Sequence, residues 1–232
     1  MIGTSDESRE SRHERGNVQG PQSLLSPLSS LVSPVPLRER WLVMVLVFAG
    51  FFTYSAVRCP PPGVNEPHYL AKAKHFWNPD WCRGDLFLES ADAHFVFYQT
   101  VGLLTRAFTL EQTAWIGRAL ALALLAVGWT ELFSRLVPGR WSSLWAAWLF
   151  LLLQTLGNLS GEWVVGGVEA KVFAYGLVLW GLAFLLDRRW NRAALCAGLA
   201  ISVHPVVGIW SLVAAAWAGA SGQNVKPRPL VA

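Results

Sequence analysis

Charge is scarce in this chain. Asp, Glu, Lys and Arg make up 15% of its 232 residues, where an ordinary soluble domain carries about 25%, so a solvated surface on every side is excluded. The formal charge of +4 is small, and the basic residues gather on no single face. Nothing could track a phosphate backbone, which excludes nucleic-acid binding. Cysteine is scarcer still, and three residues are too few for a disulfide scaffold. Cys59 and Cys82 share one stretch between apolar runs and could pair if that stretch meets an oxidising exterior, whereas Cys196 reads as a small packing residue. Also missing are a Cys/His set at zinc spacing, a Gly-x-Ser-x-Gly elbow and a phosphate-binding glycine loop, since Gly166-Gly167 is too short for one.

What the chain has instead is apolar length. Hydrophobic residues are 53% of the total, and 13 of them are Trp, the side chain that prefers a bilayer interface. The spacing of the apolar runs predicts an all-α, multi-pass transmembrane helical bundle with interfacial helices in its first external loop. Residues 1–40, rich in Ser, Arg, Glu, Gly and Pro, read as a disordered cytoplasmic tail. A membrane module is expected over 41–219, followed by a tail over 220–232.

Within the module, Trp41–Val57 is 17 residues without a charge, close to the shortest stretch that spans a bilayer. Arg38 and Arg40 before it favour a cytoplasmic amino terminus, so it works as an uncleaved anchor in the cell (inner) membrane. External loops then cover about 58–111 and 158–171. Ala93–Phe108, interrupted by His94, Gln99 and Arg106, reads as an interfacial helix. Gln112–Phe133, Trp141–Gly157 and Val172–Leu186 read as crossings, separated by basic turns at 134–140 and 187–192 that suit the cytoplasm. Ala193–Gly219 holds His204-Pro205 near its middle. It is one tilted, broken span or two half-length helices, and Lys226 and Arg228 beyond it favour the second reading.

The stretch Asn65-Glu66-Pro67-His68-Tyr69-Leu70-Ala71-Lys72-Ala73-Lys74-His75-Phe76-Trp77 follows the first anchor. Asn65 is a favoured N-cap and Pro67 suits a first turn, so a helix starts here. Tyr69, Leu70, Ala73, Phe76 and Trp77 fall on one side and His68, Lys72, Lys74 and His75 nearer the other. Glu66 lies in the first turn, where free backbone amides suit an anion. It is a candidate proton acceptor or divalent-metal ligand, or it only improves the helix start. By the same topology Glu162, Glu169, Lys171 and His204 approach the outer face, where they suit a membrane-borne phosphate donor and a hydroxyl acceptor. Glu162 and Glu169 also read as solvated loop charges, Lys171 as a snorkelling helix end and His204 as a helix cap. Asn158-Leu159-Ser160 matches a glycosylation acceptor, a motif common by chance.

Residues 65–73 resemble the external motif of the GT-C superfamily of membrane glycosyltransferases, among them the protein mannosyltransferases and aminoarabinose transferases. There an Asp-Glu pair precedes an aromatic, an apolar pair and an Ala. Arg188-Arg189-Trp190, the small-residue run Ala193–Ile201 and the break at His204-Pro205 are similar to that family's basic turn and half-membrane helices. The resemblance covers about residues 38–219 and implies transfer of a sugar from a polyprenyl-phosphate carrier to an extracytoplasmic acceptor. In that scheme Glu66 is catalytic, while Asn65, His68, Glu169, Lys171 and His204 bind substrate, Lys171 and His204 holding the lipid phosphate. The implied partners are membrane lipid and the polyprenyl-phosphate sugar, with a divalent metal as the one candidate cofactor. Two departures stand out: Asn65 occupies the position where the family carries its usual Asp, and relatives continue with more spans beyond the length seen here. A non-catalytic membrane protein, whether lipid-linked sugar binder, transporter or structural partner, is the competing class, although a transporter would show paired broken helices and the sequence has one break.

Overall fold

The computed structural model describes residues 37–63, 65–157 and 163–221. The tail over 1–36, the Asn158 glycosylation motif, Glu162, Lys226 and Arg228 lie outside the described residues. Among those described, every regular element is helical: α1 Leu37–Arg58, α2 Glu66–Trp77, α3 Phe95–Gln99, a 3-10 helix Val101–Arg106, α4 Leu110–Leu136, α5 Ser142–Leu156, α6 Ala170–Leu186, α7 Trp190–Val203 and α8 Pro205–Ala220.

Two of these are long and apolar enough to cross a membrane: α1 with 22 residues and α4 with 27. Both owe this to runs of Leu, Val, Ala and Phe with charges toward the helix ends and Arg118 as the interruption further inside α4. α4 begins at a capping box in which the Gln112 amide donates to Thr109 Oγ1 and the Thr109 amide to Gln112 Oε1, each at 3.1 Å. Two first-turn donors are thereby satisfied by sequence alone. The remaining apolar helices are shorter, 15 residues in α5, 17 in α6 and 16 in α8.

α4 is the central element. Its Ala121, Leu122, Leu125, Ala126 and Trp129 pack with Val43, Val47 and Phe51 of α1, Ala147 and Leu151 of α5, and Val165 and Val172 around α6. α4 and α6 come together where both lack side chains. A Cβ on Gly128 would lie 3.1 Å from Leu179 Cβ, and one on Gly176 only 2.9 Å from Leu124 Cγ, so backbone meets backbone as small residues allow between apolar helices. Outward-facing apolar side chains remain, among them Trp145 at 71% and Leu156 at 75% exposure. Surfaces of that kind fit lipid or a protein partner rather than water.

Ion pairs gather at one end of the bundle. Arg40 meets Glu131 at 2.7 Å, Arg140 meets Glu39 at 3.0 Å, and Arg135 bridges Glu131 and Asp187, both at 2.8 Å. The start of α1 and the two basic turns therefore share one end. At the other end Arg118 contacts Ser55 and Cys59, which makes α1 and α4 antiparallel. The 13-residue separation of Arg118 and Glu131 places these two ends about 20 Å apart along α4.

A second, smaller core lies at the Arg118 end. Leu70 and Ala73 of α2, Phe97 and Tyr98 of α3, Val101, Ala114, Val168 and Ala170 are buried together, with Val203 from the end of α7 against them. The sequence expectation for α2 needs correcting here. Lys72 and His75 were placed on a polar outer side, yet they are 3% and 9% exposed, because residues 78–92 fold back over the helix. The Lys72 ammonium donates to Phe87 O and Leu88 O at 3.1 Å and to Ser90 O at 2.6 Å, and His75 Nδ1 lies 2.8 Å from Trp81 O.

Candidate functional site

The candidate site is the polar layer at this second core, and its centre is a charge pair. The α1 helix ends at Arg58, the chain turns through Pro60-Pro61-Pro62-Gly63, and α2 opens with Glu66 pointing inward. Its carboxylate meets Arg118, two turns into α4, in a two-pronged pair: Nε to Oε1 at 2.5 Å and Nη2 to Oε2 at 2.6 Å. Both side chains are completely buried. The Gly63 amide also donates to Oε2 at 2.8 Å, and the Val168 amide to Oε1 at 2.6 Å. On the far side of the guanidinium, Nη1 donates to the Ser55 hydroxyl at 3.3 Å and to the Cys59 carbonyl, while the Ser55 hydroxyl donates to Gly166 O at 2.5 Å. The Arg118 guanidinium also lies 5.4 Å from the Trp115 ring centre. Four separate segments are thus tied to one ion pair.

This geometry bears on the expected role of Glu66. Each carboxylate oxygen accepts two hydrogen bonds and none of the group reaches the surface, so no lone pair faces a substrate hydroxyl, as a general base requires. A divalent cation on Glu66 does not fit either, because Arg118 fills the space in front of the carboxylate. Among the described residues no group of three His, Cys, Asp or Glu side chains could hold a metal ion. In this arrangement Glu66 holds Arg118 and the Gly63 and Val168 amides in place.

Neighbouring positions serve the same pair. A Cβ on Gly167 would stand 2.6 Å from Glu66 Cγ, so the glycine pair too short for a phosphate loop is what lets residues 166–168 close over the carboxylate. Gln154 of α5 holds that segment, with Nε2 donating to Val165 O at 2.9 Å and Oε1 accepting from the Val164 and Val165 amides. In the sequence Arg118 is only a single charge interrupting an apolar run. The usable signal was that an arginine eight residues inside an apolar helix needs a buried acid.

The remaining candidates fall in three places. Glu169 and Lys171 flank the start of α6 and form a nearly buried pair at 3.0 Å, with side chains 3% and 9% exposed. Neither is a solvated loop charge. His204 separates α7 from α8, and its Nδ1 accepts from the Val207 amide at 3.3 Å, capping α8. Its ring also stacks on His94, so the cap and the site share one side chain. Asn65 and His68 contribute less. Asn65 occupies the N-cap position of α2 without a side-chain capping bond, and His68 is exposed with its ring edge-on to Phe87 at 5.4 Å.

The thiols of Cys59 and Cys82 are both free, so the pairing that the sequence left open is not formed. Cys59 is held beside Gly63 and Arg118, whereas Cys82 is exposed in the turn beyond α2. Burial pushes the Cys59 thiol up, against a smaller opposing effect of Arg118.

Fold and site together define an all-helical protein with two helices long and apolar enough to cross a membrane and a polar layer built on a buried Glu–Arg pair. No known family, curated protein or solved structure matches the chain.

Proposed function

We propose that the chain is a multi-pass membrane protein of the GT-C kind, transferring a sugar from a polyprenyl-phosphate donor to a hydroxyl acceptor on the extracytoplasmic face. One observation carries this reading. The first-loop helix α2, the Glu169–Lys171 pair and the broken helix at His204 are drawn into one polar layer around a shared core, at the end of the bundle away from the arginine-rich turns. In the reaction the acceptor oxygen attacks the sugar C1 and the bond from C1 to the phosphate oxygen breaks. The leaving phosphate takes the electron pair, and Lys171 and His204 supply cationic and N–H contacts to it. Glu169 orients the acceptor, and Glu66 holds the wall of the site through Arg118.

A second reading is favoured by the saturation of Glu66: a non-catalytic protein that binds the lipid-linked sugar. Purified protein in vesicles with a radiolabelled polyprenyl-phosphate sugar and a hydroxyl acceptor separates the two. Labelled acceptor supports the transferase, carrier binding without turnover supports the binder, and the absence of both rules out a role in carrier-lipid chemistry.

The orientation has its own test. We place the amino terminus in the cytoplasm of a cell (inner) membrane protein and residues 58–92 outside. A membrane-impermeant maleimide added to spheroplasts is then expected to label Cys82 rapidly and the half-buried Cys59 slowly, with Cys82→Ser removing the fast signal. Labelling of Cys82 only after permeabilisation would reverse the topology and take the site away from the outer face.

A further inference from the structure

The polar layer holds one imidazole that the chemistry above leaves unused. His94 stands between Tyr69 of α2 and His204 of the α7–α8 break, with ring centres 4.8 Å from Tyr69 and 5.2 Å from His204 at interplanar angles of 31° and 23°. Tyr98, one turn along, meets it edge-on at 6.4 Å. Three elements of the fold thus fix the plane of this ring.

Its two nitrogens differ. Nε2 lies 3.1 Å from the Tyr69 hydroxyl, while Nδ1 is buried with no hydrogen-bond partner among the described residues. A buried polar atom left unpaired is costly, and such atoms concentrate where a ligand or a reaction supplies the partner. A base oriented by one nitrogen and presenting the other is the arrangement that activates hydroxyl nucleophiles.

We infer that His94 accepts the acceptor hydroxyl's proton in the proposed transfer, an inference that rests on that reading and gives the proton the place Glu66 cannot. The competent tautomer carries its hydrogen on Nε2, donated to the Tyr69 oxygen, and leaves the Nδ1 lone pair for the substrate. As the acceptor oxygen bonds to C1, its proton moves to Nδ1 and the carrier phosphate departs with the C1–O electrons. The imidazolium keeps its Nε2–H on Tyr69 and returns the extra proton to water or to the released phosphate.

The surroundings suit a neutral imidazole at rest. Burial first, and then the neighbouring His204, lower the His94 pKa. Tyr98 is a neutral phenol, pushed up to about 12 by burial and then by Asp92. From α6, the charged groups of the layer are Glu169 and Lys171, which are paired with each other. Protonation below the lowered pKa removes the Nδ1 lone pair, so transfer should fall on the acid side of the pH profile.

The experiment compares His94→Gln and His94→Phe with the unsubstituted protein in vesicles carrying a polyprenyl-phosphate sugar. The phenyl ring keeps the stack and removes both nitrogens. Both variants are expected to lose about 10²–10⁴-fold in kcat, to keep the donor KM and the helical circular dichroism, and to lose the acid limb of the pH profile. Near-normal kcat in His94→Phe would show that the ring only packs, and loss of donor binding in proportion to kcat would show a binding role; each overturns the inference. If the unsubstituted protein transfers no sugar, the reading of function fails and His94 falls with it, an outcome distinct from transfer that survives loss of the imidazole.

Discussion

Arg118→Ala is expected to destabilise the fold by about 3–5 kcal/mol, the cost of leaving a buried carboxylate without its cation. Glu66 and Arg118 are completely buried, and the bonds from the Gly63 and Val168 amides to the carboxylate cannot replace a full positive charge at contact. Because the pair ties the end of α1, the start of α2, the middle of the 163–168 segment and α4 together, the loss should appear as a lower cooperative unfolding midpoint in detergent. Glu66→Gln should also lower that midpoint, since it strands the guanidinium. Glu66→Leu combined with Arg118→Met should recover much of the loss, because apolar groups of similar volume often replace a buried ion pair at little cost. An exposed catalytic base would behave oppositely, losing turnover at unchanged stability. Unfolding midpoints that do not move in Arg118→Ala would show that the pair is not held in the folded protein.

The sequence made some of this legible and hid the rest for physical reasons. Helix existence followed from apolar runs, and Pro67 and Pro205 marked boundaries that local backbone chemistry imposes. The approach of 66, 169–171 and 204 to one face is an expectation from the alternation of basic turns with apolar runs, a pattern set by chain topology. Hidden were the partners. A carboxylate at a helix start has the same sequence appearance whether it faces water or an arginine 52 positions on. Lys72 and His75 looked solvated because helical periodicity describes one helix and not the 78–92 loop that folds over it. His94 was seen only as a polar interruption, since its meaning depends on Tyr69 and His204, one 25 positions before it and the other on a distant helix.

Lys171→Met is expected to lower kcat by about 10²–10³-fold, typical for removing one charge-stabilising donor at a reacting oxygen. Its interpretation needs a control, because Lys171 also neutralises Glu169 at 3.0 Å in a nearly buried pair, and the single substitution strands that carboxylate at a cost of about 3–5 kcal/mol. Glu169→Gln with Lys171→Met removes both charges and should restore most of the unfolding midpoint. Stability and transfer are then expected to part company: the double variant folds nearly as well as the unsubstituted protein yet stays about 10²-fold or more down in kcat, since neither the ammonium that takes the leaving phosphate's charge nor the carboxylate that orients the acceptor remains. Binding of the carrier phosphate, measured with an unreactive polyprenyl phosphate in the same vesicles, should weaken in both variants. If the double variant regains full transfer, the pair is structural in the way Glu66–Arg118 is, and the phosphate must be received elsewhere in the layer.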